Sequence, residues 1–394
     1  MTTSTLSHPP TAAPRPRRRA ARVLLFALLV AAAILARPAV SHVRAAALLL
    51  RFADAKAEGG LAGVGRHAVD EEPLTVETSR GPVRARLYVP RGVTAPPGVV
   101  MVHGVHRLGI EEPRLRRFSR AIAESGVTVL TPEVQEIADY TVDARSVETI
   151  GAAARALGKR LGGGRAGVMG MSFAGGLSLL AAADPRFAEH IGFVVAIGGH
   201  HDLGRVSRFF ATSEVIDPSG RATHLEAHGY GALVLLYGHA ERFFPAEDVP
   251  AARDALRLWL WDERDKARVA AEPLSPASWA KLDALFEGRI DLVAAEILAE
   301  LDRFEDAMAE VSPHGKLGRM SVPVFLLHGA GDTVIPAAET EWIAAEVPPR
   351  VLRQALVSRA IVHVEMGSDT PLGETWALVH FMASILAEAD AARG

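Results

Sequence analysis

Cysteine is absent from the 394 residues, which excludes disulfides, thiolate zinc sites and a cysteine nucleophile. A surplus of one charge is missing as well. Lys and Arg number 43 against 46 Asp and Glu, a formal net charge of −3, so no global basic field draws the chain to nucleic acid. No internal repeat is present, which removes solenoid architectures. The one glycine run, Gly162-Gly163-Gly164, precedes a strand and has no Lys-Ser/Thr after it, so it is not a phosphate loop. What the chain has is ordinary globular composition, 49% hydrophobic and 23% charged, at a length that suits one large catalytic domain with an insertion.

The N-terminus is polar, then basic, then apolar. Residues 1–22 end in Arg15, Arg17, Arg18, Arg19 and Arg22, and an uninterrupted apolar run follows from Val23 to Ala36. As a helix that run rises only about 21 Å, against a hydrocarbon core of roughly 30 Å. Snorkelling Arg22 and the flanking Pro38, Ala39 and Val40 extend it to a thin single span. We expect a transmembrane signal-anchor over residues 23–40; a cleaved signal peptide is the competing reading. Either places the main domain outside the cytoplasm, because the heavier Arg load precedes the segment. Arg37, Arg44 and Arg51 pull against that orientation.

Residues 41–57 read as an amphipathic connecting helix, and the glycines up to Gly65 as a linker, giving a 41–65 connection with folded chain from about residue 66. From there β-rich runs alternate with helical runs, the pattern of a mostly parallel sheet covered on both faces. Expected strands are Leu74–Thr78, Val83–Val89, Gly98–Val102, Val127–Thr131, Ala166–Met169, Phe193–Ile197, Val322–Leu327 and Val351–Val357. Expected helices are Glu112–Ser125, Ser146–Leu161, Phe173–Ala182, Ala338–Glu346 and Leu372–Ala387. The alternation breaks at 203–320, which reads as a helical cap inserted in a core of 66–202 and 321–394. Within it Ser275 suits an N-cap, Pro250 and Pro276 suit first turns, and the stripe Ile290, Val293, Ile297, Leu301, Phe304, Met308 predicts one long helix. The cap aromatics Phe243, Phe244, Trp259, Trp261, Trp279 and Phe286 suit an acyl or aryl pocket, but residues of this kind more often hold helices together.

The chemistry concentrates at Gly170-Met171-Ser172-Phe173-Ala174-Gly175, after one expected strand and at the head of a helix. A nucleophilic serine needs such a sharp turn, with small residues two positions away on either side, and the helix N-terminus beneath it favours negative charge. On these residues the chain resembles the α/β-hydrolase superfamily, in particular its dienelactone-hydrolase-like and esterase branches, over most of residues 70–390 outside the cap. Ala174 departs from the glycine usual two residues after the serine, a small-for-small change. The resemblance implies a triad in the order Ser, acid, His. Asp332, in His328-Gly329-Ala330-Gly331-Asp332, resembles the family's acid position, and His363, between the last strand and the last helix, sits where the base is carried. His380 falls inside the final helical run and reads as an ordinary helix histidine. For the oxyanion hole the resemblance implies the N–H groups of Phe173 and of Val105, in His103-Gly104-Val105-His106, with His103 bracing that loop.

His200-His201-Asp202 invites a metal reading, but without a third ligand at characteristic spacing it reads as a polar rim, Asp202 being a substitute acid should Asp332 be misplaced. The expectation is therefore a serine hydrolase acting on a small or lipid-like carboxylic ester through an acyl-serine, without cofactor or metal, and attached to a membrane by its N-terminal segment. An acyltransferase or a prolyl-oligopeptidase-like peptidase on the same triad, or a non-catalytic binding protein of the same fold, are the alternatives.

Overall fold

β-branched runs separated by helices assemble into one eight-stranded sheet in the computed structural model, which describes residues 38–392 except 55, 304, 363, 364 and 367–370. The strands are β1 (Val69–Thr78), β2 (Gly81–Pro90), β3 (Gly98–Val102), β4 (Thr128–Pro132), β5 (Ala166–Met171), β6 (Ile191–Ile197), β7 (Val324–Gly329) and β8 (Leu352–Ser358). Their spatial order is β1-β2-β4-β3-β5-β6-β7-β8. β2 is antiparallel to both its neighbours, and every pair from β4 to β8 is parallel. This is the α/β-hydrolase architecture expected from the sequence. The opening hairpin is longer than expected, because β1 begins at Val69, opposite Pro90. Its acidic first residues mask the strand in the sequence; Arg91 pairs with Asp70, and Arg120 reaches Glu71 at 2.5 Å.

Alternate strand residues serve two cores. Val99 and Met101 of β3 face one, Val100 and Val102 the other, as a period of two in a doubly covered sheet requires. The first face is covered by α1 (residues 38–53), α2 (Pro113–Glu124) and the C-terminal helix Leu372–Ala391. The second is covered by α3 (Arg145–Arg160) and α4 (Phe173–Ala183). α1 packs tightly: Ala45, Ala47 and Leu48 are fully buried, and Arg44 pairs with Asp390 at 2.6 Å. The segment of the expected anchor before residue 38 lies outside the described residues; among those described, no helix is long and apolar enough to cross a membrane.

After β6 the chain forms α5 (Leu203–Thr212), α6 (Gly229–Gly238), α7 (Val249–Leu260), α8 (Arg264–Ala271), α9 (Pro276–Phe286), α10 (Ala294–Leu301) and α11 (Glu305–Glu310) before returning to β7, and α12 (Ala338–Glu346) and α13 (Leu372–Ala391) complete the fold. Ser275 caps α9 by accepting from the Ser278 N–H, and Pro250 and Pro276 stand in first turns. The single helix expected over 290–308 is instead a short turn at Ile290–Leu292 followed by α10 and α11. The stripe still buries Val293, Ile297, Leu301 and Met308. The helix breaks where Asp302 accepts from Arg208 of α5 at 2.6 Å; Phe304 lies outside the described residues.

Candidate active site

β5 delivers the chain to Ser172 at φ 56°, ψ −136°, and α4 starts at the next residue. That backbone region is one that side-chain-bearing residues avoid, at a cost on the order of 1–3 kcal/mol. The turn is sterically determined by Gly170, where a Cβ would fall 2.2 Å from the Ala174 carbonyl oxygen. Ser172 is also stitched to the neighbouring strand, its N–H donating to Ile197 O at 2.8 Å, while the Gly198 N–H donates to Leu327 O at 2.7 Å. The C-terminal ends of β5, β6 and β7 are thus tied side by side, where ligands bind in open α/β sheets.

The loop after β3 approaches the same point. A Cβ at Gly104 would lie 3.5 Å from Ser172 Cβ. His103 is 1% exposed; its Nε2 accepts from the Val134 N–H at 3.0 Å and its Nδ1 donates to Gly104 O at 2.9 Å. Burial pushes this imidazole's pKa down, so it braces the loop as a neutral ring. Among the described residues neither the Val105 nor the Phe173 N–H has a protein acceptor, which leaves both free for an oxyanion. The Phe173 ring is core, tilted against His200 at 5.6 Å.

Asp332 is 1% exposed. Its Oδ1 accepts from the N–H groups of Val334 (2.9 Å) and Ile335 (3.0 Å). Its Oδ2 lies 3.5 Å from His328 Nε2 and as close to the position a Cβ would take on Gly198. The carboxylate is therefore fixed beside the end of β6, one residue from the carbonyl that holds Ser172. His363 lies outside the described residues. His380 is exposed on α13 and meets His42 of α1, Nδ1 to Nε2, at 3.0 Å. Asp202 is the N-cap of α5, accepting from the Arg205 N–H at 3.0 Å.

Ser172 and Val105 open onto a cavity of about 470 Å³, within the size range of small-molecule sites. Its apolar lining includes Phe52 of α1, Leu115 and Phe118 of α2, Met171, Leu327 and Ile361, and its polar lining includes His106, Glu112, Arg114, His228, Tyr230 and Thr333. Among the described residues of the cap, only the start of α6 and the residue before it reach this space. There the Tyr230 hydroxyl donates to Val105 O at 3.3 Å and the His228 N–H to Thr333 O at 2.8 Å. Burial pushes the Tyr230 phenol's pKa up and the His106 imidazole's down. The six cap aromatics do not line the cavity; Trp259 stacks on Phe286 at 3.9 Å and Trp279 is 44% exposed. Phe243, Phe244, Trp259 and Phe286 are instead buried among the helices of the insertion. Phe52, His228 and Tyr230 carried no motif in the sequence, and only the amphipathic pattern of α1 marked Phe52's surroundings as packed.

His201, His314 and Glu346 bring three potential ligand atoms within 4.8 Å of one another. However, His201 Nδ1 accepts from the Arg205 guanidinium at 3.1 Å, which leaves Nε2 protonated and donating to Glu346 Oε2 at 2.6 Å. Burial raises the Glu346 pKa, but donors from Leu317, His201 and Gly315 outweigh it and hold this carboxyl below its usual range. The cluster is a hydrogen-bonded brace between the end of β6 and α12.

The strained serine after the fifth strand and the buried aspartate after the seventh stand together at the C-terminal ends of the parallel strands. No family model matches this chain, and no curated protein matches it significantly. Among solved structures it is similar to an esterase of Pyrobaculum calidifontis, at 17% identity over 89% of this chain and 90% of that one, with a TM-score of 0.47. It is also similar to a puromycin-hydrolyzing peptidase of Mycobacterium tuberculosis, at 18% identity and a TM-score of 0.46, covering 83% of this chain but only 40% of the peptidase. A 2,6-dihydroxy-pseudo-oxynicotine hydrolase matches at 16% identity over 80% of this chain and 66% of that one, with a TM-score of 0.42. At such distances these likenesses concern the fold alone.

Proposed function

We propose that the chain is a serine hydrolase that cleaves a carboxylic ester through an acyl-Ser172 intermediate. The observation that carries this reading is Ser172 itself, held at positive φ on a cavity beside two N–H groups that have no protein acceptor among the described residues. His363 takes the proton from Ser172 Oγ as the oxygen attacks the ester carbonyl, and Asp332 orients and stabilises the resulting imidazolium. The N–H groups of Val105 and Phe173 receive the oxyanion. Collapse expels the alcohol, protonated by His363, and water then releases the acid by the reverse sequence. The basic-then-apolar N-terminus supports attachment to a membrane with the catalytic domain on its outer side.

The test is labelling of the full-length, detergent-solubilised protein with a fluorophosphonate, which reacts with an activated serine. Wild type is expected to label, and Ser172→Ala and His363→Ala are not. A folded wild type that stays unlabelled sinks the hydrolase reading and favours a binding protein on the same fold.

A further inference from the structure

We infer that α1, the helix that follows the apolar N-terminal run, completes the substrate pocket, and that Phe52 sets the length of the ester's apolar arm. The inference rests on the ester-hydrolase reading and names its substrate class: an ester with one extended, uncharged aliphatic or aryl arm.

Phe52 shares a single cavity with Ser172, although the two are far apart in sequence and lie on different elements. Its ring packs against Phe118 of α2 with centroids 4.7 Å apart, and the Arg117 guanidinium sits 5.2 Å over its face. The neighbouring residue is locked. Arg51 is 4% exposed, pairs with Glu124 at 3.2 Å, and donates to Ser125 Oγ at 2.7 Å and Ala62 O at 2.8 Å. Phe52 is therefore a fixed wall and not the end of a loose linker.

Among the described residues, the lining it joins offers an apolar arm contact and no unpaired charge. Phe52, Leu115, Phe118, Met171, Leu327 and Ile361 are all apolar, and of the two charged residues on the cavity, Arg114 donates to Glu112 at 2.7 Å. A charged or strongly hydrated arm would lose water there without a new partner. An apolar arm gains with each methylene it buries, about fourfold per methylene until the space is filled. Exchanging the Phe52 ring for a smaller or larger side chain must move the length at which that gain stops.

The measurement is kcat/KM of the full-length protein in detergent over two series, p-nitrophenyl esters from acetate to dodecanoate and acetates of linear alcohols of rising length. Wild type, Phe52→Ala, Phe52→Leu and Phe52→Trp are compared, each checked for folding by its thermal unfolding midpoint. We expect the best length to increase for Phe52→Ala and Phe52→Leu and to decrease for Phe52→Trp, by two methylenes or more. The series that shifts identifies whether the acyl or the alcohol arm occupies the pocket. Should wild type show Ser172-dependent turnover with the same length profile in every folded variant and in both series, Phe52 does not gauge the substrate, while the hydrolase reading stands. If wild type neither turns over an ester nor labels with a fluorophosphonate, both readings fall together.

Discussion

At the scale of the residue, Ser172 is held in a conformation that side-chain-bearing residues avoid. A positive φ of 56° with ψ −136° lifts the side chain off the sheet and onto the cavity, at a cost on the order of 1–3 kcal/mol. Glycine relieves that cost while adding roughly 0.4–1 kcal/mol of unfolded-state entropy. Ser172→Gly is therefore expected to be about 1 kcal/mol more stable than Ser172→Ala, which keeps a Cβ in the same strained turn. Both are expected to lose at least about 10⁴-fold in kcat. Paired urea or thermal unfolding of the two variants checks this, and a glycine variant less stable than the alanine one would show that the turn is not strained. The turn was legible in the sequence because its sterics are local: Gly170 and Ala174 flank the serine within two residues on each side. His228 and Tyr230 were not legible, since their place depends on how a cap element folds back over β7, and no spacing rule encodes that.

At the scale of the element, the informative case is α1. Its amphipathic period showed that one face is apolar, but period alone does not say what covers a face or whether the helix belongs to the catalytic layer. The structure answers with an ionic anchor. Arg51 and Glu124 are almost fully buried against one another, and Arg66 approaches the same carboxylate at 3.0 Å. Removing one member of a buried pair leaves the other charge without compensation, typically at a cost of 3–5 kcal/mol. Arg66 softens that here, so Arg51→Ala is expected to destabilise by about 2–3 kcal/mol in urea unfolding, well above a surface arginine such as Arg353→Ala, at about 0–1 kcal/mol. Equal, small losses for both would mean that α1 docks through its apolar face alone. The stripe over 290–308 teaches the converse lesson: the apolar positions were correct, yet the segment divides at Val293 and again after Leu301, because burying the stripe does not require one continuous helix.

At the scale of the whole molecule, the sheet separates two cores, the second merges with the cap, and three histidines are buried with their charged forms disfavoured. His103, His200 and His201 are at most 1% exposed, and burial lowers the pKa of each. His200 makes the constraint plain. Its Nε2 donates to Val311 O at 2.9 Å and its ring lies against α4, leaving no room for a hydrated cation. In the unfolded chain these imidazoles titrate near their ordinary value of about 6.5. Below that pH the unfolded state takes up protons that the folded state refuses, so it binds more protons and stability falls as pH falls. The contribution is fully present above about pH 6.5 and is lost progressively below it, each histidine adding up to about 1.4 kcal/mol per pH unit while its folded form stays neutral. Glu346 acts in a separate window: its folded pKa is depressed, so its contribution is present above the usual carboxylate range and disappears only as pH falls through that depressed value. Urea midpoints measured from pH 7.5 to 5 are therefore expected to decline steeply below about pH 6.5, and His200→Gln, which keeps a side-chain N–H for Val311 O but cannot titrate, is expected to flatten the decline. An unchanged slope in that variant would place the acid sensitivity elsewhere than in His200.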